Sequence, residues 1–161
     1  LRAILACERN GGIGYDGGMP WPKQSKDLAR FEELTTGTTI LMGRSTWEAT
    51  GMPKPLPNRI NVILSASAKT NPIIVRDEIA DDVIVVNDIA NLPEVDWCIG
   101  GAGVIGSVWD QIDELHLTHL FAEYECDTWI ELPSLHKEFY CARSQLNLTH
   151  TYEIWKRKTE E

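Results

Sequence analysis

The run from Arg2 to Cys7, RAILAC, is nearly all apolar, the pattern of a strand buried on both faces. A strand of that kind needs covering layers on either side. Similar runs recur at residues 38–42 (TTILM), Ile60–Leu64, residues 73–75, Val83–Val86 and residues 96–99. Helical spacing lies between them. Ser25 is a plausible N-cap for a helix ending near Thr36-Gly37, a short helix follows from Ser45, and another spans residues 104–111.

Residues 114–122 (ELHLTHLFA) alternate in the manner of a strand, and SQLNLTH and TYEIWKRK read as two more. The expectation is an α/β fold: a single domain over residues 1–161, with a central, mostly parallel β-sheet flanked by helices and an antiparallel C-terminal hairpin. The 161 residues suffice for one sizeable core, and 43% hydrophobic with 24% charged residues argues against disorder.

Charge and cysteine usage exclude several functions. A net charge of −9 opposes wrapping nucleic acid or docking on an anionic membrane. No apolar run reaches bilayer length, and no signal-peptide pattern opens the chain, so a cytoplasmic location is expected. Cys7, Cys98, Cys126 and Cys141 are scattered without a CxxC pair, which points to free thiols in a reducing compartment and to no metal site. His116, His119, His136 and His150 fit no ligand or triad pattern and are expected at the surface or in packing.

Three strand ends run into glycine or small polar residues: Gly43-Arg44-Ser45-Thr46, Ser65-Ala66-Ser67 and Gly100-Gly101-Ala102-Gly103. Ligands of open α/β sheets bind outside such carboxyl ends. Gly100 to Gly103 lets the backbone approach a pyrophosphate, with the helix from Val104 adding its positive end. The same glycines equally suit a strand-to-helix turn. Arg44 offers a bidentate donor for phosphate, against the commoner fate of a surface arginine.

The stretch GYDGGMPWPKQSKDLARF poses a sharper question. Five glycines between residues 11 and 18 predict a mobile loop. Asp27, which follows it, shares a helical face with Phe31 and Leu34, where the core should lie. It either faces water and favours the helix dipole or stands as a buried carboxylate beside an apolar slot, suited to a planar donor pair.

Met19-Pro20-Trp21, Asp27-Leu28 with Phe31, Met42 to Glu48 (MGRSTWE), Ile63-Leu64-Ser65, Ile99-Gly100-Gly101 and Leu117-Thr118-His119 occur in the order of the dihydrofolate reductases. The chain resembles a bacterial- or phage-type member of that family over essentially its whole length. The resemblance implies reduction of 7,8-dihydrofolate to tetrahydrofolate by NADPH, a role in one-carbon metabolism, and binding of antifolates such as methotrexate by a monomer.

It further implies that Asp27 anchors the pterin, aided by Thr118, with Trp21 and the lid residue Met19 completing the catalytic set and water supplying the N5 proton. Ile4, Ala6, Leu28, Phe31, Thr50 and Ile99 would line the substrate, and Arg59 would clamp its glutamate carboxylate. Ala6, Ile13 and Gly14 would line the nicotinamide. Gly43, Arg44, Ser45, Thr46, Leu64, Ser65, Gly100, Gly101, Ala102, Gly103 and Val104 would bind the rest of NADPH, and residues 14–19 would form a closing lid.

The chain also departs from the pattern. Thr50 stands in place of a larger aliphatic, Ile105 in place of an aromatic, and Ser45 adds no second positive charge. Trp129-Ile130 replaces a Phe-Pro ending, and residues 87–93 are too few for the usual longer helix. Two other readings share some of these features: the reductase domain of riboflavin synthesis, and a nucleotide-binding module without catalysis. Asp27 with Phe31 and Arg59 favours the pterin enzyme over both.

Overall fold

Strand β1 (Arg2–Cys7) lies at the centre of the sheet, paired in parallel with β6 (Trp97–Cys98) on one side and β7 (Glu114–Leu120) on the other. The computed structural model describes residues 1–49, 53–70 and 82–159. The remaining strands are β2 (Gly12–Gly14), β3 (Thr39–Gly43), β4 (Ile60–Leu64), β5 (Val83–Val86), β8 (Thr128–Trp129), β9 (Phe139–Leu146) and β10 (His150–Arg157). The eight-stranded sheet has the order β5-β4-β3-β6-β1-β7-β10-β9. Every pairing from β5 to β7 is parallel, and the hairpin β9–β10 closes the other edge antiparallel. The expected mixed α/β architecture is the one observed.

Helices α1 (Ser25–Thr35), α2 (Arg44–Trp47), α3 (Ala102–Val108) and α4 (Leu132–Glu138), with 3-10 turns at Ile89–Asn91 and Trp109–Gln111, complete the described elements. Strand alternation divides the core into two layers. Ile4, Ile40, Met42, Ile63 and Trp97 pack with Phe31 and Leu34 of α1. Ala3, Cys7, Leu41, Val62 and Cys98 face the opposite side, with Val104, Ile105 and Val108 of α3 and Leu135 of α4. Burial on both faces is why β1, β3 and β4 read as continuous apolar runs.

Several boundaries differ from the sequence reading. Gln24, not Ser25, holds the N-cap of α1 and makes no side-chain capping bond, so Ser25 is the first helical residue. The helix expected at residues 104–111 begins at Ala102 and ends at Val108, and residues 109–111 tighten into a 3-10 turn. The short helix expected from Ser45 starts at Arg44, and the strand of residues 96–99 shrinks to Trp97–Cys98.

SQLNLTH is not a strand of its own: β9 starts earlier, at Phe139, and Leu148 lies in the turn before β10. The glycine-rich loop contains β2, paired with β8, and α4 was not anticipated at all, despite Pro133 in its first turn. The strand expected at residues 73–75 lies outside the described residues. All four cysteines are free, with Cys7 and Cys98 buried. Among the described residues, no helix is long and apolar enough to cross a membrane.

Candidate active site

The buried side of α1 carries one acid. Asp27 is half-buried and accepts a hydrogen bond from the Thr118 hydroxyl of β7, 91 residues away in sequence. Glu32 and Glu33, the other acids of α1, are exposed. The helical phase that set Asp27 with Phe31 and Leu34 is therefore its true orientation. A hydrogen bond to a charged group is worth roughly 1.5–3 kcal/mol, which offsets part of the cost of withdrawing the carboxylate from water.

Arg59 lies at the far end of the same helix. Its Nη1 donates to Thr35 Oγ1 at 3.0 Å and its Nε to Pro57 O at 2.8 Å, and its guanidinium sits 5.9 Å from the centre of the Phe31 ring. Burial lowers the Arg59 pKa, with Glu32 acting in the other direction, but a guanidinium remains charged at neutral pH. Asn61, fully buried in β4, braces this loop. Its amide accepts from Leu56 N at 3.0 Å and donates to Leu56 O and Arg59 O at 3.1 Å. The signal for it in the sequence is a lone asparagine within the apolar run INVIL.

Ile4 and Ala6 lie on the α1 side of β1 by strand alternation, and Ile99 follows β6, its N–H bound to Leu41 O at 2.9 Å. Leu28 and Phe31 are half-buried on α1. Trp21 is buried, edge-on to Tyr124 with ring centres 6.2 Å apart. Met19 is exposed, and Thr50 lies outside the described residues.

Residues 11–18 are held in detail. The Glu8 carboxylate, 1% exposed, accepts from the backbone N–H groups of Asn10 at 2.8 Å, Gly12 at 2.9 Å and Tyr124 at 3.4 Å. Tyr15 and Gly18 exchange backbone bonds of 2.8 and 3.0 Å across Asp16 (φ 49°) and Gly17 (φ 79°). Two consecutive positive φ values make this the Asp-Gly hairpin turn that the sequence YDGG spells out. Asp127 ties the turn down, accepting from Asp16 N–H and from the Thr128 hydroxyl, both at 2.9 Å. These bonds, the one from Asp16 first, hold its carboxyl below the ordinary aspartate range. Ile13 and Gly14 belong to β2.

The second half of the site lies at the carboxyl ends of β3, β4 and β6. Gly43 N–H donates to Gly100 O at 2.9 Å, bringing the first and third glycine-rich ends together. A Cβ on Gly43 would lie 2.7 Å from Val104 Cγ2, so any larger residue would force Val104 to move. Around Gly101, a Cβ would stand 3.7 Å from Thr46 Oγ1 and 3.9 Å from Ser45 Oγ, and one on Gly103 would meet open space. Ala102 and Val104 open α3, with Val104 buried.

Arg44 points its Nη1 toward Ser65 Oγ and Ser67 Oγ, each at 3.4 Å, while its Nε binds Glu48 Oε1 at 2.9 Å. Ser65 is buried and follows half-buried Leu64 at the end of β4. A shallow cavity of about 280 Å³ adjoins this corner, lined by Ala68, Lys69, Val85, Val86, Asn87 and Asn91. Donor hydroxyls, a guanidinium and backbone left bare by glycine suit a dinucleotide with several phosphates.

A dihydrofolate reductase family model matches residues 1–155. Dihydrofolate reductase type 8 of Escherichia coli is 34% identical over 167 residues, covering 98% of this chain and 96% of its own. This chain belongs to the dihydrofolate reductase family. The Staphylococcus aureus dihydrofolate reductase is 32% identical over 129 residues, 80% of this chain and 76% of that one. Among solved structures, the Enterococcus faecalis dihydrofolate reductase complexed with NADP(H) and RAB-propyl superposes with a TM-score of 0.78 at 27% identity. It covers 98% of this chain and 96% of its own. As a member of the family, the chain is an oxidoreductase that reduces dihydrofolate with NADPH.

Proposed function

We propose that the cleft beside α1 binds the pterin of dihydrofolate and that Asp27 anchors and polarises it. The observation that carries this reading is the hydrogen bond between Asp27 and Thr118: one carboxylate, oriented from a neighbouring strand, on the otherwise apolar side of α1. An ionised carboxylate accepts two parallel N–H bonds, which matches the 2-amino group and N3 edge of a pterin. Leu28 and Phe31 grip the pterin and aminobenzoyl rings. Arg59, braced by Thr35, takes the glutamate carboxylate. Ile4 and Ile99 offer carbonyls to a 2,4-diamino inhibitor such as methotrexate.

Arg44 and Ser65 hold the 2′-phosphate of NADPH, Thr46 and Gly100 to Val104 follow its pyrophosphate, and Ala6, Ile13 and Gly14 line the nicotinamide. When bound, NADPH supplies the hydride that passes from its C4 to C6 of dihydrofolate. Residues 14–19, with Met19, cover the reacting carbons and exclude bulk water. Asp27 polarises the ring from a distance, and a water held beside Trp21 gives its proton to N5. We further propose that residues 1–161 act as one reductase domain and as a monomer in the cytoplasm.

The test is the fall in NADPH absorbance with dihydrofolate, with and without methotrexate. Rapid, methotrexate-sensitive oxidation is expected. NADPH binding with no turnover, from folded protein, would overturn the assignment of the pterin site.

A further inference from the structure

His150 has no part in the reaction as proposed, yet it is a diagonal neighbour, across β7 and β10, of the threonine that binds the substrate anchor. It is the first residue of β10, 3% exposed, and lies opposite Leu120, two places along β7 from Thr118, the partner of Asp27. The turn that leads into it is fastened to the start of α1, with Lys26 Nζ donating to Asn147 Oδ1 at 3.2 Å.

The hydrogens around this ring can be counted. Gln24 Nε2 donates to Pro22 O at 2.8 Å, which leaves Gln24 Oε1 as the acceptor for the Thr149 hydroxyl at 3.2 Å. A hydroxyl has a single hydrogen; with it given to Gln24 Oε1, Thr149 Oγ1, 3.0 Å from His150 Nδ1, accepts from the ring. In that arrangement Nδ1 carries the ring hydrogen, and Nε2 of the neutral ring is a bare acceptor. That Nε2 is buried and has no hydrogen-bond partner among the described residues.

A buried polar atom without a partner recruits water, and a buried carboxylate needs donors. We propose that His150 is a positioning residue for Asp27: its Nε2 accepts one hydrogen of a buried water whose other hydrogen is donated to the Asp27 carboxylate. Thr118 thus holds the acid directly and His150 holds it through water. The proposal rests on the reading of Asp27 as the pterin anchor.

The neighbours are consistent with a neutral ring. Lys26, Asp27 and Arg30 act on it from α1, and Tyr152 follows it by two residues on β10, with the Arg30 guanidinium 3.7 Å from the centre of the Tyr152 ring. From β7, His116 Nε2 is 2.8 Å from Glu114. Burial is the main influence lowering the His150 pKa; Asp27 raises it, and Arg30 and Lys26 lower it further.

Two variants and one spectrum test this. His150→Leu removes the acceptor, and His150→Gln restores one as an amide oxygen. In the pH profile of kcat/KM for dihydrofolate, His150→Leu is expected to move the midpoint upward by about half a pH unit, because the carboxylate loses a donor. The KM for dihydrofolate should rise roughly threefold to tenfold, while that for NADPH holds. His150→Gln should return both toward the unaltered protein.

Histidine ¹⁵N NMR of the unaltered protein should show the Nδ1–H tautomer for His150, independently of turnover. An Nε2–H tautomer, an unmoved midpoint in His150→Leu, or a glutamine variant no better than leucine would each overturn the proposal. Failure of the unaltered protein to reduce dihydrofolate would instead break the anchoring reading beneath it.

Discussion

The two halves of the cleft are built by different means. On the α1 side, the decisive contacts join residues far apart in the chain: Asp27 to Thr118, and Arg59 to Thr35. On the side assigned here by proposal to the cofactor, glycine and short hydroxyl residues stand at three strand ends, and Gly43 against Gly100 is a backbone contact. The first half is preorganised through side chains, so single changes there should strike the reaction hard. The second half offers many backbone donors, so binding should be spread over more groups, with Arg44 the exception.

The sharpest attempt to break this contrast is Asp27→Asn. Turnover at pH 7 should fall by at least ~100-fold and recover partly at acid pH, where protonated substrate is available, within the range expected for a group that polarises a reacting ring. A rate unchanged across pH 5 to 9 would end the anchoring role. Next in size, Arg44→Ala should raise the KM for NADPH roughly 10- to 100-fold with little effect on NADH, the cost of losing a charge-assisted phosphate contact. Equal effects on both cofactors would move the 2′-phosphate elsewhere.

A smaller loss is expected from Thr118→Val, which removes the donor to Asp27 at similar side-chain volume. About tenfold in kcat/KM for dihydrofolate follows from one hydrogen bond to a charged group. Steady-state kinetics should show NADPH binding intact; a matching loss there would mean that the two halves are not separable. The smallest change concerns Glu48, 56% exposed and bonded to Arg44 at 2.9 Å. An exposed i,i+4 pair contributes only about 0.3–0.5 kcal/mol, so Glu48→Gln, which removes a negative charge beside the proposed phosphate site, should improve NADPH affinity about twofold. Weaker binding instead would show that Glu48 orients Arg44 more than it competes with phosphate.

Legibility followed the same division. Gly43-Arg44, Ser65 and Gly100-Gly101 announce themselves because each follows an apolar strand directly, so local pattern places them. The Asp-Gly pair at residues 16 and 17 carries a turn signal, since consecutive positive φ values demand such residues, but the glycine content of the stretch led only to the expectation of a mobile loop. Helix phase gave Asp27 its direction but left its surroundings open. The contacts of Glu8 and Asp127 were not legible because their backbone partners are distant in the chain or lie around turns whose shape the sequence does not set. Asn61 left a signal, a lone polar residue within INVIL, but not the loop geometry that brings Leu56 and Arg59 to it.

Alternation of side chains on strands and their phase on helices are local properties of the backbone, so RAILAC, TILMG and INVIL by themselves determined a sheet buried on both faces and glycine-lined strand ends. What Thr118, Arg59 and His150 touch was decided only when β7, β4 and β10 took their places around α1. Hydrogen bonds are short-ranged and directional, and whether a buried polar group has a partner depends on register and packing that no single segment encodes.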